Sequence, residues 1–117
     1  MPTSAAYVVK RILFVCSQNR LRSPTAEQVF SDRPGLEVTS AGLNNSATVP
    51  VSAELIEWAD LIFVMEKTHR DKISRKFKLS LRNKRVICLD IPDEYEYMDQ
   101  ELVALLEARV EHFIRDA

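Results

Sequence analysis

The sequence predicts an α/β fold: a single-domain, open, parallel four-stranded sheet with helices on both faces. The chain of 117 residues fits one domain. Short runs rich in β-branched and aromatic residues, typical of buried parallel strands, alternate with segments of helical periodicity. No repeat or low-complexity stretch interrupts this β-α-β-α-β-α-β-α order, which right-handed crossovers close into one layered sheet.

The first half of the chain is expected to hold two strands and two helices. Proline at the first helical position loses no hydrogen bond, so Ser23-Pro24 opens the first helix. Arg33-Pro34-Gly35 ends that helix, and Gly42 ends the second strand. The predicted elements are a tail that merges into the first strand (1–9), strand RILFVC (11–16), the helix from Ser23, strand LEVTSA (36–41) and a short helix (50–58).

The second half repeats the alternation and ends in a helix. Asp99 is a good N-cap for this last helix, in which Leu102, Leu106, Val110 and Phe113 recur at helical spacing. The predicted elements are strand LIFVM (61–65), a basic helix (67–82), strand RVICL (85–89), an acidic loop (90–98) and the closing helix.

Composition and charge exclude several classes of protein. No run reaches the length of about 18 apolar residues that crosses a membrane, and the N-terminus lacks the apolar stretch of a secretory signal. Cys16 and Cys88 form neither a disulfide framework nor a metal-ligand spacing, so we expect a cytoplasmic setting. Residues 67–85 carry nine basic side chains, but few aromatic residues interleave them. We therefore expect no membrane or nucleic-acid partner. We also expect the protein to be a monomer or a weak dimer.

The loop after the first strand carries the strongest chemical signal. Ligands of open parallel sheets bind at the carboxyl ends of the strands, where we expect Cys16 to lie. The backbone N–H groups of residues 17–22 can surround an anion, and the following helix N-terminus adds to the same field. Arg22 supplies a planar guanidinium suited to phosphate oxygens. Such a field stabilises a thiolate, so Cys16 is predicted to be a nucleophile to which Ser23 can donate its hydroxyl.

The pattern C-x5-R-S-P-x-A-E, directly after an N-terminal strand, resembles the signature of the low-molecular-weight protein tyrosine phosphatase family. The resemblance covers nearly the whole chain and implies hydrolysis of phosphomonoesters through a phosphocysteine intermediate, with no metal or cofactor. It implies a phosphotyrosine protein or a small aryl phosphate as substrate, and binding of phosphate or vanadate anions. The similar positions are Cys16, Asn19, Arg22, Ser23, Pro24, Ala26, Glu27, Ser40-Ala41-Gly42, Ala59-Asp60-Leu61-Ile62, Met65 and Pro92-Asp93-x-Tyr95.

The resemblance also implies roles for individual residues. Asp93 matches the aspartate that protonates the leaving oxygen and then activates water, and Asp90 is the competing acid. Tyr95 matches a tyrosine beside the substrate ring. Asn19 matches the residue that holds the loop through hydrogen bonds, one of them to Ser40. The predicted substrate-binding residues are Ser17, Gln18, Asn19, Arg20, Leu21, Ser23 and Tyr95.

Several positions depart from the family pattern. The chain is shorter than usual members in the region 43–58, where the family has a histidine that joins the hydrogen-bond network of the loop. Nothing replaces that histidine by position, and His69 is interpreted as a surface helix residue. Gln18 stands in place of a glycine and Leu21 in place of a second cysteine. Arg20 adds positive charge at the pocket rim, which favours a doubly anionic or acidic substrate.

Two alternatives stay open at this point. One is a weakly active or inactive module that binds phosphate or phosphopeptides, with the basic helix 67–82 as its docking surface. Gln18, Arg20 and the missing histidine favour this interpretation. The other is an arsenate reductase, which needs further cysteines to resolve a cysteine–arsenic adduct. Only Cys88 is available for that step, and we expect it to belong to the core.

Overall fold

The computed structural model describes residues 10–114, so the predicted tail at residues 1–9 lies outside the described range. Four strands and four helices alternate along this part of the chain, in the predicted order. They are β1 (Lys10–Cys16), α1 (Arg22–Phe30), β2 (Leu36–Gly42), α2 (Ala53–Trp58), β3 (Leu61–Val64), α3 (Lys67–Lys76), β4 (Arg85–Cys88) and α4 (Gln100–Ile114).

The sheet is parallel throughout and has the strand order β2-β1-β3-β4, which confirms the predicted fold class. The chain leaves β1 on one side to form β2 and returns to the other side to form β3. This reversal is the topological switch point of an open α/β sheet, beside which ligands bind at the carboxyl ends of the strands. Cys16 is the last residue of β1, opposite Gly42 at the end of β2.

Two apolar cores cover the two faces of the sheet. Under α1 and α4, Phe14 of β1 stacks against Phe30 at a centroid distance of 5.8 Å and against Phe63 at 5.4 Å. Under α2 and α3, Ile56 and Ile73 pack on the alternate side chains of β1 and β3. The helices therefore lie on both faces, and none of those in the described range is long and apolar enough to cross a membrane.

The basic helix ends earlier than predicted. Its periodicity suggested residues 67–82, but α3 ends at Lys76 because Phe77 leaves the helical conformation, with φ −126° and ψ 39°. Phe77 and Leu81 then pack, partly buried, against the core under α2 and α3. Burial of these two side chains outweighs continuation of a helix whose exposed face carries like charges, which repel at helical spacing.

Two helix starts follow from their caps. The helix predicted from residue 50 begins only at Ala53, because Ser52 is its N-cap and accepts a hydrogen bond from the N–H of Leu55 at 3.2 Å. The predicted cap of α4 is confirmed: Asp99 Oδ1 accepts from the N–H of Glu101 at 2.9 Å.

Candidate active site

The loop between β1 and α1 is held by its carbonyl groups on one side and contacts the sulfur of Cys16 through an amide N–H on the other. The carbonyl oxygens of residues 16–18 accept hydrogen bonds of 2.9–3.1 Å from the N–H groups of Leu43, Asn44 and Thr48. Because a trans peptide points its N–H away from its carbonyl, the following N–H groups face the other side. One of them, that of Asn19, donates to Cys16 Sγ at 3.2 Å.

Close approach of β2 to this loop requires a glycine. A Cβ atom at Gly42 would lie 2.6 Å from the carbonyl oxygen of Ser17 and 2.9 Å from the backbone nitrogen of Asn19. Both distances are shorter than van der Waals contact, and backbone atoms cannot move aside as a flexible side chain can. The glycine of the Ser40-Ala41-Gly42 segment therefore lets the end of β2 support the loop.

One side of the loop is held by hydroxyl and amide groups, and we call Asn19, Ser23, Ser40 and Glu27 the serine flank. Asn19 is buried and has φ 56°, a left-handed conformation that asparagine tolerates. Its Nδ2 donates to Ser23 Oγ at 3.0 Å and to Ser40 Oγ at 2.9 Å. Ser40 in turn donates to a Glu27 carboxylate oxygen at 2.5 Å. The predicted contact between Asn19 and Ser40 is present.

The serine flank ends at the nucleophile candidate. Ser23 Oγ lies 3.0 Å from Cys16 Sγ. Ser23 Oγ accepts from Asn19, so its one hydrogen can point to the sulfur or to the carbonyl oxygen of Ala41, which is farther away at 3.5 Å. A hydroxyl that donates to sulfur stabilises the thiolate and makes it a better leaving group.

The other side of the loop is held by the junction of β3 and α3, and we call Ser17, Arg22, Glu66 and His69 the histidine flank. Arg22 is 3% exposed, and its Nη1 donates to Glu66 Oε2 at 2.5 Å and to the carbonyl oxygen of Ile91 at 2.7 Å. Glu66 is also the N-cap of α3, where its carboxylate accepts from the backbone N–H of His69. One carboxylate thus starts the helix and aims the guanidinium.

The interpretation of His69 as a surface residue is wrong. Its side chain is buried, with 5% of the residue exposed, and Nε2 lies 2.9 Å from Ser17 Oγ. Nδ1 accepts from the backbone N–H of Glu66 at 3.1 Å. A histidine does join the hydrogen-bond network of the loop, but from a position after β3 rather than before it. Sequence reasoning also missed Glu66, for which the signal was Glu-x-x-His at the carboxyl end of a buried strand.

Burial lowers the pKa of His69 below its ordinary value of 6.5. The nearby Arg22 guanidinium lowers it further, while the carboxylates of Glu66 and Asp93 act in the opposite direction. The imidazole is therefore neutral at neutral pH, which agrees with an Nδ1 that accepts a hydrogen bond.

A cavity of about 220 Å³ opens above Cys16. It brings together most of the residues predicted to act on substrate. Asp93 is 66% exposed at its side chain and forms the far wall, with Oδ1 3.7 Å from Arg22 Nε. Arg20 is exposed at the rim. The lining residues are Cys16, Ser17, Gln18, Arg20, Leu21, Arg22 and Asp93.

The loop that carries Asp93 is anchored at both ends. At its start, Ile91 donates its N–H to the carbonyl oxygen of Met65 at 2.8 Å. At its end, the N–H of Met98 donates to Thr25 Oγ1 at 2.9 Å. Arg109 of α4 donates to the carbonyl oxygens of residues 89 and 90 at 2.7 and 2.6 Å. These anchors hold the loop beside the cavity, whereas Asp93 itself faces solvent.

Three sequence candidates lie away from this cavity. Tyr95 is partly buried against the core under α1 and α4 and is not among the lining residues, and its place beside a substrate ring stays a prediction. Asp90 faces Cys88, whose Sγ donates to Asp90 Oδ1 at 3.6 Å, in a separate cavity. Burial raises the pKa of the Cys88 thiol. The second thiol is therefore not part of the Cys16 site.

Within residues 10–114, no group of three or more His, Cys, Asp or Glu side chains could hold a metal ion. Around the Cys16 sulfur lie instead the N–H of Asn19 and the hydroxyl of Ser23, and the Arg22 guanidinium lines the same cavity as the sulfur. Such a set binds a tetrahedral oxyanion in front of a thiolate.

Comparison with known sequences identifies the same region. A family model described as low molecular weight phosphotyrosine protein phosphatase matches residues 11–56. A protein-arginine-phosphatase of Geobacillus stearothermophilus is 32% identical over 91 residues, which cover 57% of this chain and 62% of the relative. A protein-arginine-phosphatase of Bacillus subtilis (strain 168) is 34% identical over 93 residues, covering 56% and 62%. The chain thus spans less than two thirds of the length of these curated relatives.

Comparison with solved structures extends the likeness to the whole fold. The YwlE arginine phosphatase of Geobacillus stearothermophilus has a TM-score of 0.73 and 24% identity, covering 92% of this chain and 94% of that one. The tyrosine phosphatase Wzb of Escherichia coli K30, in complex with phosphate, has a TM-score of 0.75 and 23% identity, covering 93% and 99%. These likenesses concern the fold. Together with the family match over residues 11–56 and the loop sequence, they show that the chain has the fold of low-molecular-weight protein tyrosine phosphatases and is similar to them in sequence around this loop.

Proposed function

We propose that this protein is a cysteine-dependent phosphatase that hydrolyses aryl phosphomonoesters, including phosphotyrosine in proteins. One observation carries the proposal. The sulfur of Cys16 lies 3.0 Å from a hydroxyl and 3.2 Å from a backbone N–H, in a cavity that Arg22 and Asp93 also line. A nucleophile, an oxyanion clamp and a proton donor thus share one small space.

In the first step, the Cys16 thiolate attacks phosphorus as the bond to the leaving oxygen breaks. The loop N–H groups and Arg22 stabilise the charge on the three phosphoryl oxygens, which is the main catalytic contribution in phosphoryl transfer. Asp93, in its protonated form, transfers its proton to the leaving aryloxide. The products of this step are the alcohol and a phosphocysteine.

In the second step, the Asp93 carboxylate takes a proton from a water molecule, which attacks the phosphocysteine. The sulfur–phosphorus bond breaks, inorganic phosphate leaves and the thiolate is restored. The Ser23 hydroxyl donates to the departing sulfur and lowers the energy of its negative charge. This cycle needs reduced Cys16, which supports the cytoplasm as the compartment.

Arg20 supports an anionic or acidic substrate. Its exposed side chain adds positive charge at the rim of the cavity, and this charge attracts acidic residues around a phosphotyrosine. It repels the cationic guanidinium group of a phosphoarginine. Hydrolysis of phosphoarginine is nevertheless the second candidate, because the relatives of highest sequence identity described above are named protein-arginine-phosphatases.

The two alternatives from the sequence receive less support. The absence of a histidine from the loop network was one argument for an inactive binding module, and His69 occupies that network. An arsenate reductase would need a second thiol near the first, whereas Cys88 lines a different cavity. Phosphate binding without turnover would restore the module as the better account.

Hydrolysis of p-nitrophenyl phosphate between pH 4.5 and 8 tests the reaction. We expect Cys16→Ser to lower kcat by at least about a thousandfold and Asp93→Asn by about a hundredfold or more. Asp90→Asn is the matched control in the same loop and should retain the activity. Activity that survives Asp93→Asn but falls in Asp90→Asn would move the acid to Asp90. A wild type without turnover would contradict the proposal.

Peptides with the same flanking residues test the substrate class. We expect a larger kcat/KM for the phosphotyrosine peptide than for the phosphoarginine peptide, and Arg20→Ala should reduce this ratio. The reduction follows because the variant removes the charge that discriminates between the two. A wild type that prefers phosphoarginine would establish the second candidate instead.

A further inference from the structure

The Ser17 hydroxyl contacts an imidazole whose tautomer is fixed by the backbone. The N–H of Glu66 points at His69 Nδ1 at 3.1 Å. A backbone N–H can only donate, so Nδ1 carries no proton and the neutral ring has its hydrogen on Nε2. Nε2 lies 2.9 Å from Ser17 Oγ. The imidazole therefore donates and the serine oxygen accepts.

This arrangement leaves the hydrogen of the Ser17 hydroxyl unused. The hydroxyl cannot donate back to a nitrogen that is itself a donor. In the described part of the chain, His69 is the one side chain that hydrogen-bonds Ser17 Oγ. Ser17 lines the cavity above Cys16. An acceptor inside that cavity is thus the natural partner for the free hydrogen.

We propose that the Ser17 hydroxyl donates a hydrogen bond to a phosphoryl oxygen in the cavity, and that His69 is the positioning residue that orients it. This inference rests on the proposed function, since it concerns the same anion. Ser23 offers a parallel on the opposite side of the loop, where a hydroxyl accepts from Asn19 and lies 3.0 Å from Cys16 Sγ. The low pKa of His69 supports the assignment, because a neutral ring is required.

Two substitutions at His69 separate orientation from folding. In His69→Asn, the side-chain oxygen occupies the position of Nδ1 and can still accept from the N–H of Glu66, but the amide is too short to reach Ser17. In His69→Gln, the amide nitrogen reaches the position of Nε2 and can still donate to Ser17 Oγ. His69→Asn thus keeps the hydrogen bond to the Glu66 N–H, and His69→Gln keeps the hydrogen bond to Ser17 Oγ.

The test measures affinity for orthovanadate by calorimetry and kcat/KM for p-nitrophenyl phosphate. A hydrogen bond to a charged group is lost in Ser17→Ala, so both quantities should fall by roughly tenfold to a hundredfold. His69→Asn should fall by a similar factor, and the Ser17→Ala/His69→Asn double variant should fall no further. His69→Gln should recover much of the affinity. Ser74→Ala, at an exposed serine of α3, is the matched control.

Two results would overturn the inference. Ser17→Ala could bind vanadate as tightly as the control, in which case the hydroxyl does not contact the anion. His69→Gln and His69→Asn could lose affinity equally and in proportion to their loss of thermal stability, in which case His69 only supports the fold. A wild type that binds vanadate without turnover would contradict the phosphatase proposal and not this inference. The vanadate affinities of the variants would still decide the role of Ser17.

Discussion

The serine flank and the histidine flank hold the same loop by different means. The serine flank draws on the loop itself, on the start of α1 and on β2, the next strand in the chain. The histidine flank reaches across the sheet to the β3–α3 junction, with sequence separations of 44 residues for Arg22 and Glu66 and 52 for Ser17 and His69. The first shapes the loop around the sulfur with neutral amide and hydroxyl groups, which the Glu27 carboxylate holds through Ser40. The second orients a buried cation, Arg22, in the wall of the cavity above Cys16.

The comparison indicates that different residues set the conformation of the loop and the orientation of the Arg22 guanidinium. Asn19 and Ser23 hydrogen-bond to the Cys16 sulfur and to each other, and none of these hydrogen bonds involves the Arg22 guanidinium. Glu66 instead accepts a hydrogen bond from the Arg22 guanidinium, and this contact does not involve the sulfur. Damage to the serine flank should therefore change folding and reactivity together, whereas damage to the histidine flank should change anion binding more than folding.

The largest expected effect comes from breaking the serine flank at Asn19. Asn19→Ala removes two buried hydrogen bonds and leaves alanine at φ 56°. We expect the free energy of unfolding to fall by about 2–4 kcal/mol, measured by urea denaturation, together with a loss of turnover. Asn19→Gly loses the same bonds without the left-handed strain, so its loss should be smaller by about 1 kcal/mol. Equal stability of Asn19→Ala and wild type would contradict this account.

A smaller effect on stability is expected from breaking the histidine flank at Glu66. Glu66→Gln keeps an acceptor for Arg22 and for the helix N-terminus but removes the charge. Because the Glu66 side chain is 39% exposed and screened by water, the free energy of unfolding should fall by only about 1 kcal/mol.

Affinity for vanadate should be more sensitive to the Glu66→Gln substitution than the free energy of unfolding is. Vanadate affinity of Glu66→Gln should fall by about tenfold, since Arg22 is held less firmly. Glu54→Gln, at an exposed position of α2, is the matched control for loss of one carboxylate. If both variants bind vanadate alike, Glu66 does not aim the guanidinium.

The last expected effect is a pH dependence of stability, to which His69 of the histidine flank should contribute. Above the ordinary pKa of 6.5, His69 is neutral in both the folded and the unfolded chain and contributes no pH dependence. Below 6.5, the unfolded chain binds a proton that the folded chain resists, because the folded pKa is lowered. Stability should therefore fall as the pH falls, by up to about 1.4 kcal/mol per pH unit until the folded pKa is reached.

His69→Gln cannot titrate and should lack this part of the slope. Denaturation at pH 7.5, 6.5 and 5.5 measures the difference between the two proteins. If the free energy of unfolding varies with pH in the same way in both proteins, the pKa of His69 does not differ between the folded and the unfolded chain.

Local patterns identified much of the site because they act over short distances. The C-x5-R-S-P pattern sets a strand end, a loop and a helix start within one stretch, so the placing of Cys16, Asn19, Arg22 and Ser23 was predictable. His69 was not, because on its own helix it is one polar residue in a basic segment. Only the pairing of β3 beside β1 buries it against Ser17. Tyr95 is partly buried against the core under α1 and α4, and its role beside a substrate stays a prediction.

The alternation of strands and helices, the parallel sheet and the position of the Cys16 loop after β1 could all be predicted from the amino-acid sequence, because periodicity and loop chemistry are local properties. Which distant side chains support that loop became apparent only from the folded chain. It brought the end of β3 beside the end of β1, so that Glu66 meets Arg22 and His69 meets Ser17. It also placed Asp93 on the cavity wall and left Asp90 and Cys88 in another cavity. The physical reason is that contacts across a sheet depend on strand order, which no single segment specifies.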